Sequence, residues 1–285
     1  MMPLPPLYPE SLIARLLVGA ILGAGIGGLA TWRRLLSRGG AVAAALVGTV
    51  VFAFGGWAWA VLLVLFFVTS SALSRYGAGR KEIATGRMAK GSQRDARQVL
   101  ANGGWMALLA LWQGWQPADW MFLAAVGALA AVTADTWATE LGLLSPTPPR
   151  LITTGEPVPP GTNGGVTTLG LLAAATGAFL IGFVAGVLVL LGGTYMVLSP
   201  GRLSFVAGVS GFVGALVDSL LGATVQHTRW CPLCDEETER DIHTCGTATH
   251  AHRGWPWLDN DTVNALASVT GSLMAVLLAF VLGFI

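Results

Sequence analysis

Mostly apolar runs of about twenty residues recur along this chain, and no other feature restricts its fold so severely. In hydrocarbon every backbone amide must be satisfied within its own segment, so a run of that length reads as a spanning helix. Six stretches qualify, at 12–32, 99–115, 120–141, 166–191, 203–226 and 262–284, with 99–115 the shortest. A seventh stretch, 41–73, is too long for one crossing and carries Gly55-Gly56 near its middle. Paired glycines form helices poorly and turns well, so it reads as two helices joined by a tight turn; one long helix with a glycine kink is the alternative. The expected fold is therefore all-α: a polytopic membrane bundle of about eight helices, making a single domain over 1–285. Only 11% of residues are charged, against about a quarter in an average soluble domain, which excludes the soluble classes.

The distribution of charge tests this count. With eight helices, fourteen of the sixteen Lys and Arg fall in loops on one face, and only Arg15 and Arg202 on the other. Merging the second and third helices would put Arg33, Arg34 and Arg38 opposite the most basic loop. Positive loops stay in the cytoplasm, so the expected location is the cytoplasmic membrane, with both termini outside and the four long loops inside. The first helix is too long for a cleaved signal peptide and is followed by a basic cluster. A net charge of +1, with no basic surface beyond these loops, gives no support to a nucleic-acid partner.

Carboxylates inside spanning segments are costly and usually mark function. Asp135, Glu140 and Asp218 are such candidates. Asp135 and Asp218 each precede a hydroxyl residue, Thr136 and Ser219, and each lies about two turns before the cytoplasmic end of its helix. Equal depth in helices running the same way suits a shared hard cation such as Mg²⁺, completed by substrate phosphate. Hydrogen bonding to a neighbouring helix is the alternative. Glu140 lies near the interface, where a carboxylate can reach water.

The cytoplasmic loops offer phosphate-binding chemistry. Thr162-Asn163-Gly164-Gly165 leads into a helix, whose N-terminus favours anions; a capped Pro/Gly turn explains the same residues. There is no Walker A ending. Lys90, Arg94 and Arg97 cluster where Ser92 and Asp95 resemble a capping box, and Asn102 follows; anionic lipid would attract the same charges. Asp259, Asp261 and Asn264 open the last helix, where capping or a second contribution to the phosphate site accounts for them.

All three cysteines lie in one loop insert, 227–258. Cys231-Pro-Leu-Cys234 is followed by His243-Thr-Cys245, four ligands at the spacing of a structural, tetrahedral Zn²⁺. His250 or His252 can replace His243.

Taken together, the segment from Lys90 to Asn102, the run from Ala134 to Gly142, the loop from Pro157 to Gly165, the Asp218-to-Ala223 motif and the run from Trp257 to Asn264 resemble the domain of unknown function 92 family. Transmembrane protein 19 and the plant phytyl-phosphate kinase belong to that family. The resemblance covers essentially the whole chain, and the Cys/His insert looks like the prokaryotic branch. It implies a Mg²⁺-dependent membrane kinase that transfers a phosphoryl group from a nucleoside triphosphate, ATP or CTP, to a prenyl monophosphate of phytyl, farnesyl or geranylgeranyl type. A prenyl-phosphate nucleotidyltransferase and a lipid-phosphate transporter or flippase are the other classes open.

Overall fold

The computed structural model describes Pro9 and residues 11–85, 93–192 and 199–285. The chain forms α1 (Leu12–Trp32), α2 (Arg38–Val50) running into a π-turn (Val51–Gly55), α3 (Trp57–Arg75), a short α4 (Ala78–Thr85), α5 (Ala96–Trp115), α6 (Asp119–Gly142), α7 (Thr168–Gly192), α8 (Pro200–Thr224) and α9 (Asn260–Val281). Eight of these are long helices. Among the described residues seven are both long and apolar enough to cross a membrane, counting α2 with its π-turn as one. The eighth, α5, is 20 residues long but carries Arg97, Gln98, Asn102 and Gln113, which lower its apolarity. The expected break falls at Gly56, whose φ of 92° ends one helix and opens the next. Only glycine adopts that conformation without strain.

The core is built around α6. Every residue from Met121 to Ala134 is buried, so the helix is apolar on all sides and sits inside the bundle, against α3, α5, α7, α8 and α9. Small residues let its neighbours approach closely. A Cβ on Gly127 would lie 2.5 Å from the Gly271 carbonyl of α9, and one on Gly214 of α8 would lie 2.5 Å from the Ala131 Cβ. Such backbone contact is how helices associate in lipid, where there is no hydrophobic drive between them.

The loops gather on one face of the bundle and bond to each other. Leu35 and Ser37 exchange backbone hydrogen bonds with Arg94, each 3.0 Å long. Two small sheets extend the all-α expectation. Antiparallel β1 (Arg150–Leu151) and β2 (Gly165–Val166) close the loop between α6 and α7. The insert between α8 and α9 folds as β3 (Thr228–Cys231), β4 (Glu236–Thr238) and β5 (His250–Arg253), in the order β4-β3-β5.

Candidate active site and metal centre

Asp135 lies seven residues before the end of α6 and Asp218 six before the end of α8, so both sit about 10 Å below the loop face at 1.5 Å per residue. The packing of α6 on α8 turns them toward each other, and their carboxyl groups lie close enough to act on one another. Asp218 Oδ2 is buried with no hydrogen-bond partner among the described residues. The hydroxyl of Thr136 bonds back to the Val132 carbonyl at 2.7 Å, so it does not tie Asp135 to another helix. Two adjoining carboxyls, one with an orphaned buried oxygen, must share a proton or hold a cation between them. That donor set fits a hard divalent cation, which takes carboxylate oxygens and water.

A third carboxylate, overlooked in the sequence, reaches the pair from the loop insert. Glu239 Oε1 accepts hydrogen bonds from Asn163 Nδ2 at 3.0 Å and Gln226 Nε2 at 2.7 Å, and its charge acts on Asp218 through space. Glu239 lies in an acidic stretch of five carboxylates between Asp235 and Asp241, where nothing in the sequence says which one turns inward. Between the 150–167 loop and the insert lies a cleft of about 440 Å³, lined by Thr162, Asn163, Trp230 and the 234–239 segment.

The glycine loop is positioned differently from the sequence expectation. The helix after it, α7, begins at Thr168, and its Gly170 amide is already bonded to Thr167 Oγ1 at 3.0 Å. Gly164 instead packs on the loop-side end of α8: its φ is 76°, and a Cβ there would stand 2.4 Å from the Ala223 Cβ and 2.6 Å from the Ala223 amide nitrogen. Thr162 donates to the Pro159 carbonyl at 2.8 Å, and the Gly165 amide bonds the Thr162 carbonyl at 3.0 Å. The loop thus holds Asn163 one turn above Asp218. Gly164→Ala is expected to destabilise this corner by roughly 2–3 kcal/mol, since strained φ and backbone overlap act together. Limited proteolysis within 150–165 should rise against wild type; unchanged cleavage would show the corner to be dispensable.

Several other sequence candidates have partners of their own. Glu140 accepts from Ser74 Oγ and from Lys81 Nζ at 2.6 Å, so it is paired while 19% of its side chain stays exposed. Lys81 is buried, 2% exposed, and also donates to the Leu73 carbonyl at 2.8 Å. Asp95, not Ser92, caps α5: its side chain accepts from the Gln98 amide at 2.9 Å, and Gln98 Oε1 accepts from the Asp95 amide at 3.1 Å. Lys90 and Ser92 lie outside the described residues.

Arg97 donates to Asp259 Oδ2 at 2.6 Å and lies 3.6 Å from Asp261 Oδ2, tying α5 to α9. Asp259 also caps α9, accepting from the Thr262 amide at 3.0 Å and the Thr262 hydroxyl at 2.9 Å. Burial works to raise its carboxyl pKa, but those bonds and Arg97 together hold it below the usual value. Asn264 follows one turn into α9, half-buried, and Asn102 lies half-buried in α5. The sequence candidates therefore divide into an aspartate group with Asn163 and an arginine group that links helices.

In the insert, the ligand atoms of Cys231, Cys234, His243 and Cys245 all lie within 4.8 Å of one another. Cys231 Sγ and Cys245 Sγ are 3.7 Å apart, and zinc–sulfur bonds of about 2.3 Å give a tetrahedron with edges of roughly 3.8 Å. His243 Nδ1 lies 3.3 Å from Cys245 Sγ, while its Nε2 meets Glu236 Oε1 at 2.8 Å, the carboxylate support usual behind a metal-bound imidazole. Hydrogen bonds with Thr247 and His243 lower the Cys245 thiol to about 6, whereas hydrogen bonding to Cys245 pushes Cys234 up to about 12. His252 packs tilted against Trp230, ring centres 4.9 Å apart, and, like His250, is exposed on β5, which leaves His243 as the imidazole of the cluster. The donors fit Zn²⁺. Cys231→Ser should reduce zinc in the purified protein from about one ion per chain to near none, as read by elemental analysis; full retention would rule out this ligand set.

A helical integral membrane protein with a polar site under one loop face is the class these features define. The sequence signature of integral membrane protein DUF92 matches residues 21–272, and the chain belongs to that family. Protein PGR of Arabidopsis thaliana is 31% identical over 277 residues, covering 91% of this chain and 94% of its own length. An uncharacterized membrane protein of Methanocaldococcus jannaschii is 30% identical over 248 residues, 86% of each chain. Protein VTE6, chloroplastic, of Arabidopsis thaliana is 28% identical over 85% of this chain and 65% of its own. No solved structure matches the chain.

Proposed function

We propose that the protein is a membrane kinase that transfers a phosphoryl group from a nucleoside triphosphate to a prenyl monophosphate, giving the diphosphate. The observation that carries this reading is the Asp135–Asp218 pair, two carboxyls in mutual reach at one depth beneath a polar loop face. Phosphoryl transfer asks for positioning and charge neutralisation more than for covalent catalysis. A Mg²⁺ held by Asp135 and Asp218 would supply that neutralisation. Asn163 and Glu239, bonded to each other, would fix the edge of the site nearest Asp218. The donor would enter through the cleft beside Thr162 and Trp230. Arg97, already neutralised by Asp259 and Asp261, is left a structural role, and Arg94 remains the basic group for the acceptor. Zn²⁺ in the insert would hold Glu239 in register. The reading sets the loop face in the cytoplasm and both termini outside.

Purified protein incubated with phytyl, farnesyl and geranylgeranyl monophosphates, each with ATP or CTP, should yield prenyl diphosphate and nucleoside diphosphate by mass spectrometry. Pyrophosphate release with a nucleotidyl lipid would make it a nucleotidyltransferase. Vesicle transport of lipid phosphate with no triphosphate consumed would make it a transporter.

A further inference from the structure

A cavity of about 360 Å³ lies between α1, α2, α3 and α5, within the range of ligand sites. Its walls are apolar, formed by residues such as Val47, Phe52, Val61 and Phe67. Leu22 and Ile26 of α1 and Val64 of α3 both line it and stand exposed on the outside of the bundle, so it opens sideways, where lipid would lie. On the other flank α1 and α2 touch backbone to backbone: a Cβ on Gly23 would meet the Ala45 carbonyl at 2.9 Å and one on Gly27 the Ala41 carbonyl at 3.0 Å. That leaves a single slot.

One edge of this apolar chamber is polar. Arg94, Gln98 and Asn102 recur every fourth residue and line it. The half-buried Asn102 side chain makes no hydrogen bond among the described residues, so its amide is open to a polar group entering the cavity. Arg94 lies between Phe66 and Phe67, its guanidinium carbon 5.8 Å from each ring centre, and donates to Ser71 Oγ at 3.3 Å. The carboxylate acting on Arg94 among the described residues is Glu140, which already holds Lys81 at 2.6 Å. Two shielded cations thus share the Glu140 carboxylate, and Arg94 holds its charge at the end of a greasy slot.

We infer that this cavity binds a single-chain lipid anion, its chain in the slot between Gly48 and the α3 wall and its anionic head drawn to Arg94. The site rests on the proposed reaction only for the suggestion that such a lipid is a substrate; the charge and shape arguments stand apart from it.

Gly48 supplies the test, because it lines the cavity and nothing lies within 4 Å of where its Cβ would be. Binding of radiolabelled hexadecyl phosphate to the full-length protein in nanodiscs, without nucleotide, should be saturable. Octyl phosphate should compete weakly, a hexadecyl ammonium cation not at all, and two-chain phosphatidic acid poorly. Gly48→Leu should abolish long-chain binding, Val64→Phe should do the same from the facing wall, and Arg94→Gln should weaken it by on the order of tenfold or more. Thermal midpoints near wild type would show that each variant folds. Unaltered binding in both cavity-filling variants, equal competition by phosphatidic acid, or the absence of saturable binding would each overturn the site. Loss of kinase turnover with binding intact would strike the proposed reaction alone. Binding lost in Gly48→Leu with prenyl turnover intact would strike this site as the acceptor's.

Discussion

Asp218→Asn is expected to lower phosphoryl transfer by on the order of a thousandfold or more, and Asp135→Asn to do the same. The substitution keeps the side chain's shape while removing one negative charge and one oxygen lone-pair set. It should not unfold the protein: two half-buried carboxyls in mutual reach repel, so neutralising either relieves the bundle of a cost. Activity and stability should therefore move apart, with turnover collapsing while the thermal midpoint stays or rises. The double variant should be little worse than either single one, because ligands of one cation act as a unit and their losses do not add. Diphosphate product quantified against added Mg²⁺ reads the effect, and a weakened cation requirement appears as a shift of that titration to higher concentration. Full turnover in both single variants would end the assignment.

How much of this was legible beforehand follows from what periodicity encodes. The depth of a residue in a spanning helix is set by its distance from the helix end at a fixed rise, so Asp135 and Asp218 could be matched by counting. Their azimuth could not be counted, since it depends on which face of α6 packs on α8. The Gly55-Gly56 break was readable because the need for positive φ at Gly56 is a local property of the chain. The Cys/His spacing was readable because metal geometry limits ligand separation, although choosing His243 over His250 and His252 took the fold of the insert. Lys81, Glu239 and the pairing of Arg97 escaped because they are charges in loops, in one short loop helix or at a helix end. There the sequence has no period, and a cation destined for burial looks like one more positive residue of a basic loop. The cap of α5 slipped by three residues for a similar reason: Ser92 and Asp95 both offer a capping oxygen, and Gln98 three positions beyond Asp95 decides between them.

Lys81→Met should destabilise the loop-side half of the bundle by about 3–5 kcal/mol, the range found when one member of a buried ion pair is removed. Lys81 is 2% exposed and holds Glu140 at 2.6 Å, with Ser74 the other donor to that carboxylate. Methionine fills the space of the lysine stem, so the loss comes from stranding Glu140 and freeing the Leu73 carbonyl, and not from a void. Arg94, the other cation acting on Glu140, offsets part of it and places the expected loss nearer the lower end. The compensated variant Lys81→Met with Glu140→Leu separates charge from packing: it should recover most of the loss, because an apolar pair of similar volume is often as stable as the ion pair it replaces. Unfolding rates in a graded denaturing-detergent series provide the measurement, since such proteins commonly unfold irreversibly and stability is then read as a rate. If Lys81→Met unfolds as slowly as wild type, Glu140 is solvated and not sealed. If the double variant recovers nothing, the Lys81–Glu140 pair is needed for the local fold itself, and α4 is held against α6 by that contact.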